Sequence, residues 1–120
     1  MDAEFFDTLE TRDPEAREEA LMAALPRQIA HAKMATPHFG RLFAAVDASA
    51  ITSRAALAQL PVTRKSDLKA LQTEHPPFGG LCATPIAQLG RLFQSPGPIY
   101  EPEGASPDFF RFARPMFAAG

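Results

Sequence analysis

The sequence predicts a mainly α-helical fold with a short β element, which forms the N-terminal portion of a larger α/β domain. Acid–proline and threonine–proline pairs precede apolar residues at helical spacing, and this pattern predicts several helices. Residues 91–100, Arg-Leu-Phe-Gln-Ser-Pro-Gly-Pro-Ile-Tyr, indicate a strand that enters a tight turn. With 120 residues, the chain is long enough to bury one core.

The first helix has the clearest start signal. Asp13 is a favourable N-cap, and Pro14 fits the first helical position. Apolar residues then follow at helical spacing: Leu21, Leu25, Ile29 and Ala32. Pro26 lies within this stripe and costs about 3 kcal/mol in a straight helix interior. We therefore expect a kink or a break at Pro26, with helical structure resuming to about Ala35.

Three shorter helices are predicted in the middle of the chain. The second begins at Thr36 and buries aromatic and aliphatic residues. The third is capped by Thr52 or Ser53, and Pro61 ends it. The fourth spans residues 63–71, with its charged residues largely in solvent.

The remainder is broken into short elements by proline and glycine. Residues 75–80 predict a loop, and a single helical turn precedes the strand at 91–95. A short two-stranded element is expected around Pro96 and Gly97. The sequence thus divides into an N-terminal helical segment, residues 1–75, and a strand–loop–helix unit, residues 76–120.

The last predicted helix spans residues 107–119 and carries four phenylalanines. So wide an apolar surface requires a partner, and after a strand and a loop the usual partner is a parallel sheet. We therefore interpret the chain as a truncated segment of a larger protein. The expected partner is either the remainder of that protein or a second copy, through the aromatic helix at residues 109–117.

Composition excludes several classes of protein. The net charge is −2 without a basic cluster, so nucleic acid is not an expected partner. No apolar run reaches the roughly 20 residues that span a bilayer, so no membrane association is expected. The single cysteine, Cys82, excludes an internal disulfide framework and favours a cytoplasmic location.

The histidines and the cysteine have no spacing typical of a metal site. The residues concerned are His31, His38, His75 and Cys82. We expect structural roles for the histidines and an inert thiol, because no residue is placed to activate Cys82 as a nucleophile. No metal ligand and no catalytic residue are therefore assigned.

Three blocks of sequence form a recognisable combination: Leu-Pro-Val-Thr-Arg-Lys-Ser-Asp-Leu at 60–68, Pro-Phe-Gly-Gly at 77–80 and the strand that begins at Arg91. Together they resemble the N-terminal region of phenylacetate–CoA ligases, which belong to the AMP-forming, adenylate-forming superfamily. The segment Ala-Thr-Pro-His-Phe at 35–39 is also similar to that family. The resemblance extends from about Leu21 to Gly120.

This resemblance implies an activity for the full-length protein. Such ligases activate a carboxylate with ATP and Mg2+ to give an acyl-adenylate, and CoA then displaces AMP. Their phosphate loop typically has the pattern Arg-x-His-x-Ser-Ser-Gly-Thr-Thr-Gly-x-Pro. Four positions of this chain are the candidate nucleotide-binding residues by that resemblance: Ser95, Gly97, Tyr100 and Glu101.

The candidate loop departs from the family pattern in ways that disfavour phosphate. Pro98 and Ile99 replace two threonines whose hydroxyls donate hydrogen bonds, and Pro96 removes a further backbone donor. Glu101 stands where the family has lysine and would repel a polyphosphate. The superfamily's adenine-binding and catalytic motifs lie beyond Gly120. We therefore expect no cofactor binding and no catalysis by this chain alone.

Several alternatives remain open at the level of sequence. The chain is either a segment of an active ligase or a non-catalytic helical interaction module derived from one. Tyr100 is either a ligand contact or part of the turn packing. The aromatic residues at 109–117 either pack in a core or line an aryl-acid pocket. The basic residues at 64–69 either lie in solvent or contact a phosphate of CoA.

Overall fold

Helix α1 (Pro14–Ala35) begins as predicted and continues past its internal proline without interruption. The computed structural model describes residues 4–120. The Asp13 side chain accepts hydrogen bonds from the backbone N–H groups of Glu15 and Ala16. Of the two predicted alternatives at Pro26, a kink and a break, the break is excluded and the kink stays a prediction. Proline removes one helical hydrogen bond, and packing of the neighbouring turns at Leu25 and Ile29 holds the helix together.

Three short helices follow near their predicted starts, but the helix predicted to end at Pro61 already ends at Leu57. They are α2 (Pro37–Leu42), α3 (Arg54–Leu57) and α4 (Lys65–Glu74), with a 3₁₀ turn at Ala48–Ala50. Thr36 caps α2, and Ser53, the second of the two predicted candidates, caps α3. Helix α4 begins and ends later than predicted, because Lys65 is its first residue and Glu74 its last.

The helical core is small and lies between α1, α2 and the 3₁₀ turn. Ile29, Phe43 and Ile51 are buried at its centre. Partly buried residues surround them: Leu25, Phe39, Leu42, Val46, Ala48, Ala56 and Leu60. Leu21, the first residue of the predicted stripe, is 49% exposed and lies outside this core.

The predicted two-stranded element is confirmed as an antiparallel hairpin of β1 (Leu89–Ser95) and β2 (Ile99–Gly104). Ser95 pairs with Ile99 next to the turn. A register shift interrupts the pairing near the start of β1. A 3₁₀ turn at Ile86–Gln88 precedes the hairpin, which agrees with the single turn predicted there.

The last helix is much shorter than predicted: α5 spans only Ala113–Ala119. Asp108 and Arg111 have φ values of 50° and 59°, in the left-handed region that ends a right-handed helix. The Asp108 carboxylate accepts a hydrogen bond from the N–H of Ala113, at 3.0 Å. The first two phenylalanines of the predicted helix therefore lie in a turn, where Phe110 packs against Phe93 of β1.

The large apolar side chains in α5 and in the turn before it are partly exposed. Their exposed fractions lie between 40% and 63%: Phe109, Phe110, Phe112, Met116 and Phe117. Helix α5 also contacts the N-terminal segment, because Arg114 donates to Asp7 and Phe117 packs against Phe6.

No helix in residues 4–120 is long and apolar enough to cross a membrane. The division of the chain into a helical segment, residues 1–75, and a strand–loop–helix unit, residues 76–120, stays a prediction.

Candidate functional site

The four candidate residues lie together on the hairpin, but the turn uses two of them for its own structure. The Ser95 hydroxyl donates across the turn to the carbonyl of Ile99, at 3.5 Å. Gly97 has a φ of 154°, which side chains rarely allow, and a Cβ there would lie 3.1 Å from Cγ1 of Ile99. Both residues are therefore explained by the turn without a ligand.

The turn presents few donors to an anion. Pro96 and Pro98 have no N–H, and the N–H of Tyr100 donates to a side chain of helix α4. The chain continues from the turn into β2, so no helix N-terminus directly follows the turn. The usual arrangement of a strand, a loop and a helix start around a phosphate is absent from this hairpin.

Gln72 is the residue of the site that sequence reasoning missed. It lies on α4, is 8% exposed, and its amide makes two hydrogen bonds to the backbone of Tyr100. Nε2 donates to the Tyr100 carbonyl and Oε1 accepts from the Tyr100 N–H, each at 2.9 Å. A glutamine in a short polar helix is ordinarily exposed, so only the unpaired edge of the predicted strand could have indicated this contact.

A cavity of about 360 Å³ lies between α4, the 75–82 loop and β2. Its walls are mainly apolar and include Leu68, Phe78 and Ile99. Glu101, which is exposed, also lines it. The Cys82 thiol at its edge donates to the carbonyl of Thr84, at 3.3 Å, which agrees with an inert structural thiol.

The arginine that matches the family loop is engaged within the hairpin. Arg91 makes a bidentate ion pair with Glu103, which lies opposite it on β2. The Glu103 residue is only 8% exposed, whereas the Arg91 side chain is 71% exposed. Arg91 therefore neutralises a buried carboxylate, and this compensates the charge that it would otherwise offer to a phosphate.

The histidines do not come together as a metal site. His38 Nε2 lies 2.8 Å from the hydroxyl of Thr63, and burial, together with the positive charge of Arg41, lowers the pKa of His38. His31 and His75 are exposed. Within residues 4–120 no group of three His, Cys, Asp or Glu side chains could hold a metal ion.

No protein-family model matches the sequence, and no curated protein matches it. In structure, the chain is similar to 2-hydroxyisobutyryl-CoA ligase in the postadenylation state in complex with 2-HIB-AMP. The TM-score is 0.76, with 25% identity over 87% of this chain. A second structure of that ligase, with 2-HIB-AMP and CoA in the thioesterification state, gives a TM-score of 0.76 and 24% identity over 89% of this chain.

These comparisons confirm the predicted fold class. The chain has the fold of an N-terminal fragment of an adenylate-forming CoA ligase. It spans only 23% and 24% of the two ligase chains that it matches.

Proposed function

We propose that this chain is the N-terminal segment of an ATP-dependent acyl-CoA ligase of the phenylacetate–CoA ligase type. The observation that carries the proposal is the structural similarity to an adenylate-forming CoA ligase over 87% of the chain. The sequence blocks at 60–68 and 77–80 support the phenylacetate-type assignment. The whole protein would convert a carboxylic acid to an acyl-adenylate with ATP and Mg2+, and then to a CoA thioester.

In this proposal the segment contributes the hairpin and its turn, and the remainder of the ligase supplies the adenine site and the catalytic groups. Ser95, Gly97, Tyr100 and Glu101 are the positions nearest the nucleotide. ATP, Mg2+ and CoA are cofactors of the whole protein, and the isolated chain binds none of them. The donor-poor turn and the exposed carboxylate of Glu101 support inactivity of the isolated chain. The single thiol, Cys82, supports a cytoplasmic location.

A chimera tests the ligase assignment directly. Residues 4–120 would replace the matching N-terminal segment of 2-hydroxyisobutyryl-CoA ligase, and pyrophosphate release would be measured with phenylacetate and with 2-hydroxyisobutyrate. We expect weak activity, which the triple substitution Pro98→Thr, Ile99→Thr, Glu101→Lys raises by restoring two hydroxyl donors and a positive charge. A folded chimera without activity in either form would contradict the proposal.

Titration of the isolated chain with Mg-ATP tests the second part. We expect no measurable heat of binding. A micromolar Kd, equivalent to about −8 kcal/mol, would show that the turn binds nucleotide by itself.

A non-catalytic interaction module is the second candidate, and the exposed aromatic residues around α5 favour it. Its partner would be the remainder of a ligase or a second copy of the chain, through residues 109–117. Light scattering over a concentration series tests the second copy. A mass that stays at that of one chain, 13.0 kDa, at high concentration excludes self-association through this surface.

A further inference from the structure

We propose that Gln72 is the positioning residue of the hairpin, and that its amide fixes β2 and the adjoining turn against helix α4. The contact joins residues 28 positions apart in the sequence. It connects the helical part of the chain to the strand that carries Tyr100 and Glu101. The position of β2 against α4 does not depend on the ligase proposal. Only the inference that Gln72 thereby positions Tyr100 and Glu101 near a nucleotide rests on that proposal.

The chemistry of the side chain matches the role. A carboxamide presents one acceptor and one donor side by side, as a peptide group does, so it can pair with both the N–H and the C=O of one residue of a strand. Gln72 Oε1 and Nε2 make these two hydrogen bonds to Tyr100, each at 2.9 Å. The amide thus occupies the open edge of β2, where a further strand would otherwise pair.

The hairpin needs such an anchor. A two-stranded hairpin is at best marginally stable by itself in water. β1 is exposed along most of its length, so the buried side of the hairpin lies on β2, where Ile99 is 6% exposed. Helix α4 packs on β2, and Phe78, which is 7% exposed, lines the same cavity as Ile99. Apolar packing holds the strand near α4, and the two hydrogen bonds set its register along the helix.

Substitution of Gln72 separates this role from general stability. Gln72→Leu removes both hydrogen bonds and leaves the N–H and C=O of the half-buried Tyr100 without these partners. Gln72→Glu keeps an acceptor for the N–H, but an ionised carboxylate faces the Tyr100 carbonyl where a donor is required. Protonation of that carboxyl restores a donor. Burial raises the pKa of an introduced carboxyl above its ordinary value of about 4.3, so the recovery should occur on mild acidification.

Amide hydrogen exchange of the full 120-residue chain, followed by NMR, is the measurement. The probe is the Tyr100 N–H, and the reference is the Phe43 N–H, which donates to the Phe39 carbonyl in the helical core. In the natural sequence we expect both to be protected. In Gln72→Leu we expect the protection factor of the Tyr100 N–H to fall at least tenfold at every pH between 5 and 8. The protection factor of the Phe43 N–H should stay unchanged. Gln59→Glu, at an exposed position, is the matched control and should change neither.

Gln72→Glu gives the decisive signature. Tyr100 protection should be low at pH 8 and recover at least tenfold towards pH 5, after correction for the intrinsic exchange rate. Unchanged Tyr100 protection in Gln72→Leu, or no recovery in Gln72→Glu, would overturn the proposal. If Gln72→Leu also lowers the protection of the Phe43 N–H, that variant has lost stability throughout the chain. The proposal is then tested only by the recovery of Tyr100 protection in Gln72→Glu at low pH. These rates are measured without nucleotide, so failure of the ligase proposal would leave them unaffected.

Discussion

Thr36 joins the first two helices through one hydroxyl group, and its replacement should destabilise the whole helical core. The residue is 5% exposed. Its Oγ1 donates to the Ala32 carbonyl at 2.8 Å and accepts from the Phe39 N–H at 3.3 Å. The same side chain therefore closes α1 and caps α2. Thr36→Val keeps the shape of the side chain and removes both hydrogen bonds, whereas Thr36→Ser keeps both and removes one methyl group.

The expected magnitudes follow from these contacts. Loss of an N-cap costs about 1 kcal/mol, and loss of a further buried hydrogen bond costs about as much. Thr36→Val should therefore lower the free energy of unfolding by about 2 kcal/mol, and Thr36→Ser by roughly 0.8 kcal/mol for the buried methyl. The unfolding entropy of a chain of this length is roughly 250 cal/mol/K, so the Tm should fall by about 8 °C and about 3 °C.

Urea and thermal denaturation followed by circular dichroism at 222 nm provide the assay. The test is which of the two variants is the more stable. A hydrogen-bonding role predicts that Thr36→Ser is more stable than Thr36→Val, and a packing role predicts the reverse. If Thr36→Val were as stable as Thr36→Ser or more so, the hydroxyl would not join the helices in the way described. A changed m-value would indicate that the substitution altered the compactness of the unfolded or the folded state, or abolished two-state unfolding.

Three further predictions concern the helices and the surface. Pro26→Ala should raise the free energy of unfolding by about 1–3 kcal/mol, measured in urea, because α1 regains a backbone hydrogen bond; a destabilised variant would show that the proline ring is needed for packing. The pKa of His38 is lowered in the folded state by burial and by Arg41, so its stabilisation is present above the unfolded pKa of about 6.5 and is lost as the pH falls through the lower, folded value. Stability in urea should therefore fall on acidification from pH 7.5 in the natural sequence, and less in His38→Gln; parallel losses would contradict this. Phe110→Ser combined with Phe117→Ser should reduce self-association in light scattering, since both side chains are at least 40% exposed, and an unaltered mass distribution would exclude this surface.

The features predicted correctly from the sequence are those fixed by neighbouring residues. Asp13, Thr36 and Ser53 cap helices because their side chains reach backbone N–H groups two or three residues ahead. The turn of the hairpin is likewise set locally, since Gly97 supplies a conformation that other residues rarely adopt.

The errors arose where distant contacts or unusual backbone conformations decide the structure. Asp108 and Arg111 adopt a left-handed backbone conformation that only glycine indicates clearly in a sequence. The predicted last helix is therefore too long. At Pro26, the packing of α1 outweighs the poor helix propensity of proline, so the predicted alternative of a break does not occur there. The pairing of Gln72 with Tyr100 joins two segments far apart in sequence, and neither segment alone indicates it.

The contact between Arg114 and Asp7 has a consequence for the order of folding events. These residues are 107 positions apart, so the contact requires closure of almost the entire chain, whereas the contacts of the helical core join residues close in sequence. Because closing so long a loop costs conformational entropy that one ion pair does not offset, we expect this contact to form late in folding, after the helical core. Arg114→Gln should then leave the folding rate almost unchanged and raise the unfolding rate, so this ion pair would lengthen the lifetime of the folded chain.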